Sequence, residues 1–443
     1  MWGISSKMQV VYRLLKLTSK VDYSRFFSDD VPGFMRSPVR EIFRKVDLAS
    51  IYSFAGGYPD ASTFPLQEME GLTRKVVEKY GAKALQYGGT QGVNELREAI
   101  SKWYAPWLYA GCGKAVGADG DAPKSDPATV RIPLENIQIT TSSQQGIDVC
   151  ARIFLNPGDV VLTTNPAYLG AIQSFKAYRA EVRNLVAAMA DSADGGATLR
   201  KDSSGQVKFI YIVPDFCNPS GETLSLEERL SLVDFARRKD LLIIEDCPYR
   251  ALRYSGSNIP TIYSLAPERT LHLGSFSKIF APGFRLGWII GAPALLEQIF
   301  ICKQALDLCP PVFDQYLAAE YLGSGTLDEN LSRSISLYRE KRDYMLALLH
   351  RYMPEGVSWT EPDGGLFLWV TLPPHVDTVA MYDSALAAGV AYVAGTFFSL
   401  DGGFRNAMRL NFSFLARDRM EEGVKLLSRV ISEALIPQKT VEK

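Results

Sequence analysis

One lysine stands among anion-binding groups at Ser275-Phe-Ser-Lys278, with Gly283-Phe-Arg285-Leu-Gly-Trp288 directly behind it. A lysine becomes a useful amine nucleophile only when its pKa falls, and a neighbouring cation such as Arg285 together with partial burial pushes it that way. Ser275 and Ser277 add hydroxyl donors and Arg285 a guanidinium, enough to hold a phosphate. A phosphate-bearing cofactor held as a Schiff base needs this set. Alone, the tetrapeptide reads equally well as a Ser-Lys loop capped by a surface arginine, so the surroundings must decide. The apolar run Thr270-Leu-His-Leu-Gly274 predicts a short buried strand, placing the lysine where a strand ends and polar, glycine-bearing residues begin. In open α/β sheets ligands sit at that edge.

The elements that must position this lysine follow from Asn136 onward, where short apolar runs alternate with helix-like stretches. Ile137-Gln-Ile-Thr140 leads into a helix from about Ser143; Val160-Val-Leu-Thr163, Phe209-Ile-Tyr-Ile-Val213 and Leu241-Leu-Ile-Ile-Glu245 follow. This alternation predicts a mostly parallel sheet covered on both faces. Ser225-Leu-Glu-Glu228 has the form of a capping box and starts a helix. Asp246 ends a strongly apolar strand, and Glu245 beside it points to the opposite face. Residues 105–133 gather Gly, Ala, Asp and Pro and read as an inserted, mobile surface loop. Beyond Pro310-Pro311 the pattern turns helical and then strand-like at Gly364-Gly-Leu-Phe-Leu-Trp-Val370, a second, α+β unit.

With 443 residues and 47% hydrophobic content the chain can bury a large core in two or three domains. The formal net charge of -1 gives no global field to attract nucleic acid or an anionic membrane. Cys112, Cys150, Cys217, Cys247, Cys302 and Cys309 form no Cys-x-x-Cys pair, and there are three histidines, so neither a zinc site nor a disulfide framework is expected. No apolar run reaches membrane-spanning length. The first twenty residues carry Lys7, Arg13, Lys16 and Lys20 and no acid, the composition either of an organellar transit peptide or of a plain basic extension. A cytoplasmic location is expected, with a mitochondrial one as the alternative.

The order Ser143-Gln-Gln-Gly146, Asn165-Pro-Ala-Tyr168, Asn218-Pro-Ser-Gly221, Asp246-Cys-Pro-Tyr249, Ser275-Phe-Ser-Lys278 and Arg285 resembles the class I/II aminotransferases of fold type I, which use pyridoxal 5'-phosphate. Ser37-Pro-Val-Arg40, Ala55-Gly-Gly-Tyr-Pro59 and Leu85-Gln-Tyr-Gly88 point to the kynurenine/α-aminoadipate and aromatic aminotransferase branch. The resemblance implies an α/β fold: a large cofactor-binding domain (56–330) with a mostly parallel seven-stranded sheet between helices, and a smaller α+β domain (331–443). Residues 23–55 would join the small domain, and 1–22 would be the basic extension.

It also implies roles. Lys278 would carry the cofactor and shuttle the substrate's α-proton. Asp246 would keep the ring nitrogen protonated, and Tyr249 and Asn218 would hydrogen-bond the ring's phenolic oxygen. Tyr168 would stack on the ring. Ser143 and Gln144 at a helix start, where Ser143 also reads as an N-cap, would receive the phosphate with Ser275, Ser277 and Arg285. Tyr87 would reach the phosphate of a neighbouring subunit, making a homodimer with shared sites. Arg409 would bind the substrate α-carboxylate; Arg405, four residues earlier and on the same side of a continuous strand, is the decoy. Arg40, Gly57, Tyr58 and Asn218 would contact substrate. An aromatic set of Tyr58, Phe64, Phe367, Phe397 and Phe398 suits a large apolar side chain, so aromatic amino acids, kynurenine or 2-aminoadipate are the expected donors and 2-oxoglutarate the acceptor, in ping-pong order. A β-lyase on the same scaffold is the alternative. A more remote one is the ligand-sensing domain of a transcription regulator, which would call for a basic helix-turn-helix domain ahead of a region that here has about twenty residues before it.

Overall fold

The computed structural model describes residues 22–29, 31, 51–111, 130–193 and 205–436. After a two-residue strand β1 (Tyr52–Ser53), the apolar runs form β2 (Ile137–Thr140), β3 (Val160–Thr163), β4 (Glu181–Asn184), β5 (Val207–Ile212), β6 (Leu242–Asp246), β7 (Thr270–Ser275) and β8 (Gly287–Ile290). Strands β2 to β8 make one seven-stranded sheet in the order β2-β8-β7-β6-β5-β3-β4. Strand β8 runs against both its neighbours and the other pairs are parallel. A parallel sheet must be covered on both faces, and β2, β3 and β7 are buried along their whole length.

Four helices matter for the site: α1 (Ser142–Phe154), α2 (Leu169–Ala177), α3 (Leu226–Lys239) and α4 (Pro293–Leu306). On one face Phe209, Tyr211, Ile244 and Leu271 pack with Ile147 and Cys150 of α1, Phe175 of α2 and Ile299 of α4. On the other, Ile210, Ile212 and Ile243 pack with Leu232, Val233 and Ala236 of α3. The period-two alternation of β5 and β6 therefore assigns their side chains to two separate cores. The predicted capping box starts α3: Ser225 N–H donates to Glu228 Oε2 at 2.7 Å, and Glu228 N–H donates to Ser225 Oγ at 3.2 Å. Gly274 lies opposite Trp288 in the β7/β8 register, and a Cβ there would meet the indole at 2.1 Å, so only glycine fits.

Further along the chain come β9 (Ser358–Trp359), β10 (Phe367–Thr371), β11 (Val390–Ala391), β12 (Val393–Ala394) and β13 (Ala407–Asn411). The order β12-β13-β10-β9 makes an antiparallel sheet. It shares a core with α5 (Thr326–Tyr352) and α6 (Arg417–Leu435), in which Leu349, Val370, Leu410 and Leu427 are buried together. Strand β1 pairs in parallel with β11, Phe54 N–H donates to Ala391 O at 2.8 Å, and Asn411 N–H donates to Phe54 O at 2.9 Å. Residues 52–54 are thus tied by backbone to a region more than 300 residues away.

The expected surface loop over 105–133 is corrected at both ends. Ala105–Leu108 is a helical turn with Ala105 and Leu108 fully buried, and Ile132 is buried too. Arg250 Nε donates to Trp107 O at 2.7 Å and Thr261 Oγ1 to Leu108 O at 2.8 Å. Pro106 lies within this turn, and most of the glycines and prolines that suggested a loop lie in residues 112–129, which fall outside the described residues. So do the basic N-terminus and the Ser37-Pro-Val-Arg40 motif with Arg40.

Candidate active site

The carboxyl ends of β5, β6 and β7, the start of α1 and strand β13 border a cavity of about 860 Å³. Lys278 lies at its centre of chemistry. Ser275 ends β7 and caps the next turn, Phe276–Lys278, by accepting the Ser277 N–H at 3.1 Å. That turn directs Lys278 across the cavity, where Nζ donates to Gly57 O at 2.8 Å. Burial, and then the positive charges of Arg285 and Arg409, push its pKa down to about 8. The amine is far easier to deprotonate than a surface lysine.

One end of the cavity is built to receive an anion. Arg285, in the left-handed region at φ 51°, donates from Nη2 to Ser142 Oγ at 2.5 Å. Ser142 was not anticipated; it is the first residue of α1. The cap position is Thr141 rather than Ser143, and it makes no side-chain cap hydrogen bond, which leaves the first amides of α1 toward the cavity uncapped. Behind them, Gln145 is clamped: its Nε2 donates to Asp307 Oδ2 at 2.6 Å, and its Oε1 accepts from Thr141 N–H and from Lys303 Nζ, both at 2.8 Å. Ser143, Gln144, Ser275, Ser277 and Arg285 all line this end.

The middle holds the carboxylate. Asp246 Oδ2 accepts from the Tyr211 hydroxyl at 2.8 Å, whereas Oδ1 is buried with no partner. Burial, only partly countered by Tyr211, pushes the Asp246 carboxyl up to about 7. A buried acceptor without a donor is costly. A ring N–H presented there would relieve it, so the residues present fit the pyridine end of pyridoxal phosphate. Tyr168 donates to Gln144 Oε1 at 3.1 Å, and its ring closes over Gly170, where a Cβ would come within 2.6 Å of it. Tyr249 is buried beside Asn218, and burial pushes its hydroxyl pKa up.

At the other end Arg409 is buried in β13. Nη1 donates to Asn218 Oδ1 at 2.8 Å, Nη2 donates to Ala55 O, and Nε is buried without a partner. Its guanidinium carbon lies 4.2 Å from the Phe367 ring centre and 5.1 Å from that of Phe398. Burial pushes its pKa down to about 10, still charged at neutral pH. Arg405 precedes β13, is exposed and pairs with Asp377, so the shared strand face expected for the two arginines does not arise.

Of the aromatic set, Tyr58, Phe367 and Phe398 line the cavity, with Tyr58 at 5.7 Å from the Phe414 ring; Phe64 and Phe397 do not line it. Tyr87 is 79% exposed and outside the lining. Besides Ser142 and Tyr211, the sequence reading missed Asp148, Gln173 and Ser174, which line the cavity between α1 and α2. The i, i+4 step from Gln144 to Asp148 on one helix face was the available signal for Asp148.

Residues 55–427 match the family described as aminotransferase class I and II. The aromatic-amino-acid aminotransferase 1 of Thermococcus litoralis is 37% identical over 94% of this chain and 96% of its own. The 2-aminoadipate transaminase of Thermus thermophilus is 31% identical over 94% and 98%. Among solved structures, the kynurenine aminotransferase of Pyrococcus horikoshii superposes with a TM-score of 0.84, at 38% identity over 94% of this chain and 99% of that one.

Proposed function

The chain belongs to the class I and II aminotransferases, pyridoxal-phosphate enzymes, and from that premise we propose that it moves the amino group of an aromatic amino acid, kynurenine or 2-aminoadipate to 2-oxoglutarate. The observation that carries the reading is one cavity in which a lysine with lowered pKa, a buried carboxylate oxygen without a donor and a buried arginine face each other. When bound, pyridoxal phosphate supplies the electron sink that lets the bond between Cα and hydrogen break.

The chain's residues do the rest in this reading. Arg285, Ser275, Ser277 and the amides of Ser143 and Gln144 hold the phosphate, as a helix start and a guanidinium can. Asp246 Oδ1 would accept the ring N–H, Tyr249 and Asn218 would hydrogen-bond the phenolic oxygen, and Tyr168 would cover the ring face. Lys278 would hold the cofactor, and its amine, with its lowered pKa, would take the proton from the substrate Cα as a general base and return it as a general acid. Arg409 orients the α-carboxylate with its planar fork, which a lysine could not match. Gly57, Tyr58, Phe367 and Phe398 form the side-chain pocket. Donor and acceptor would bind in turn, because the one cavity with Lys278 and Arg409 serves both. Lys278 would serve a β-lyase equally well; the names of the relatives support transfer.

Tyr87 and Leu85, 79% and 81% exposed, support a homodimer in which Tyr87 completes the partner's phosphate site.

The test mixes the yellow holoenzyme with one amino acid at a time, without an oxo acid, and follows absorbance. Conversion to the pyridoxamine form by phenylalanine, tyrosine, kynurenine or 2-aminoadipate is expected, and Lys278→Ala is expected to lose multiple turnover. Pyruvate and ammonia released without acceptor would favour the lyase; equal response to alanine would remove the substrate assignment.

A further inference from the structure

We propose that Tyr211 is a positioning residue of the reaction: its hydroxyl holds the Asp246 carboxylate so that the cofactor's ring nitrogen keeps its proton. The inference rests on the reading of Asp246 given above.

Tyr211 lies on β5 in register with Ile244 of β6, two residues before Asp246, so the tyrosine and the carboxylate share one face of the sheet. Its hydroxyl donates to Oδ2 at 2.8 Å and the ring is fully buried, standing edge-on to Phe175 at 5.4 Å. Burial keeps the phenol pKa well above its usual value, so the group remains a donor across the working pH range. The division between the two oxygens matters. One donor on Oδ2 leaves Oδ1 as a single, directed acceptor inside the cavity.

The energetic consequence follows from the competition for one proton. A hydrogen bond to the ionised carboxylate favours ionisation, and burial opposes it. Tyr211 supplies the first against the second. A carboxylate that is a weaker base leaves the proton on the ring nitrogen; a stronger one takes it and the ring becomes neutral, a poorer electron sink. Cys217 and Tyr249 are also near the carboxylate; burial pushes both pKa values up, so neither adds a charge there, and the hydrogen bond to Asp246 comes from Tyr211.

The experiment reconstitutes wild type and Tyr211→Phe with pyridoxal phosphate carrying nitrogen-15 in the ring, and follows the nitrogen shift against pH by NMR. In Tyr211→Phe the signal of the protonated nitrogen is expected to be lost at lower pH than in wild type. The kcat is expected to fall about tenfold per unit of pKa change at Asp246, with KM within about twofold. Site-specific 3-fluorotyrosine at 211, a stronger donor that keeps the ring and its packing, is expected to move the same loss to higher pH. Unchanged nitrogen titrations in these proteins overturn the proposal. Asp246→Asn, titrated in parallel, separates the layers: if it loses the protonated signal while the position-211 variants titrate like wild type, the role of Tyr211 alone falls. If it also titrates like wild type, the assignment of Asp246 falls with it.

Discussion

Asp246 is a residue whose proposed cofactor contact and folding cost pull in opposite directions. Its folded pKa, about 7, is raised above that of an unfolded carboxyl, so the folded apoprotein binds the proton more tightly than the unfolded chain does. The penalty for ionising it is absent below the unfolded value, grows as pH rises through the interval up to about 7, and is constant above that. Urea unfolding of the apoprotein between pH 4 and pH 8 is expected to show stability falling across that interval. In Asp246→Asn that fall should shrink by about 1.4 kcal/mol per unit of the shift removed. A wild-type slope in the variant would deny the burial cost. Sequence alone picked out Asp246 by its place at the end of an apolar run, yet said nothing of Tyr211, because a tyrosine within an apolar strand looks like core until the neighbouring strand's register is known.

At the scale of elements, the start of α1 depends on a clamp contributed by α4. Lys303 is buried on α4 and pairs with Asp307 at 2.9 Å, and both bind Gln145 in the first turn of α1. Removing the Asp307 carboxylate would leave a buried ammonium without its counter-charge and the Gln145 Nε2 without this acceptor. Asp307→Ala is expected to cost about 3 kcal/mol in stability, the low end for breaking a buried pair because Asp307 is itself partly exposed. It is also expected to weaken pyridoxal phosphate binding, measured by equilibrium dialysis; unchanged affinity would mean that the clamp serves stability alone. The contrast with α3 is instructive. Its capping box was legible because Ser225 and Glu228 are three residues apart, whereas the clamp on α1 joins residues 158 and 162 apart. The same difference explains Ala105–Leu108, where a short apolar turn was absorbed into the glycine- and proline-rich stretch beside it, and its burial came from Arg250 and Thr261 far along the chain.

For the whole molecule, the proposed homodimer makes the plainest prediction: in sedimentation equilibrium the holoenzyme is expected at twice 49.1 kDa. Tyr87→Ala is expected to release pyridoxal phosphate more readily without changing that mass. A monomeric holoenzyme, or Tyr87→Ala that binds the cofactor as tightly as wild type, would refute the shared site. What the sequence by itself determined were features carried by near neighbours: the strand and helix periods, the capping box, the Ser-Phe-Ser-Lys turn and the order of motifs along the chain. Only the tertiary structure decided which groups meet. Tyr211 reaches Asp246 across 35 residues, Arg285 reaches Ser142 across 143, and Arg409 reaches Ala55 across 354. Local propensity acts within a turn or along one strand. Such long pairings depend on strand order, on the register between parallel strands and on the return of β1 to β11, which no stretch of residues encodes alone.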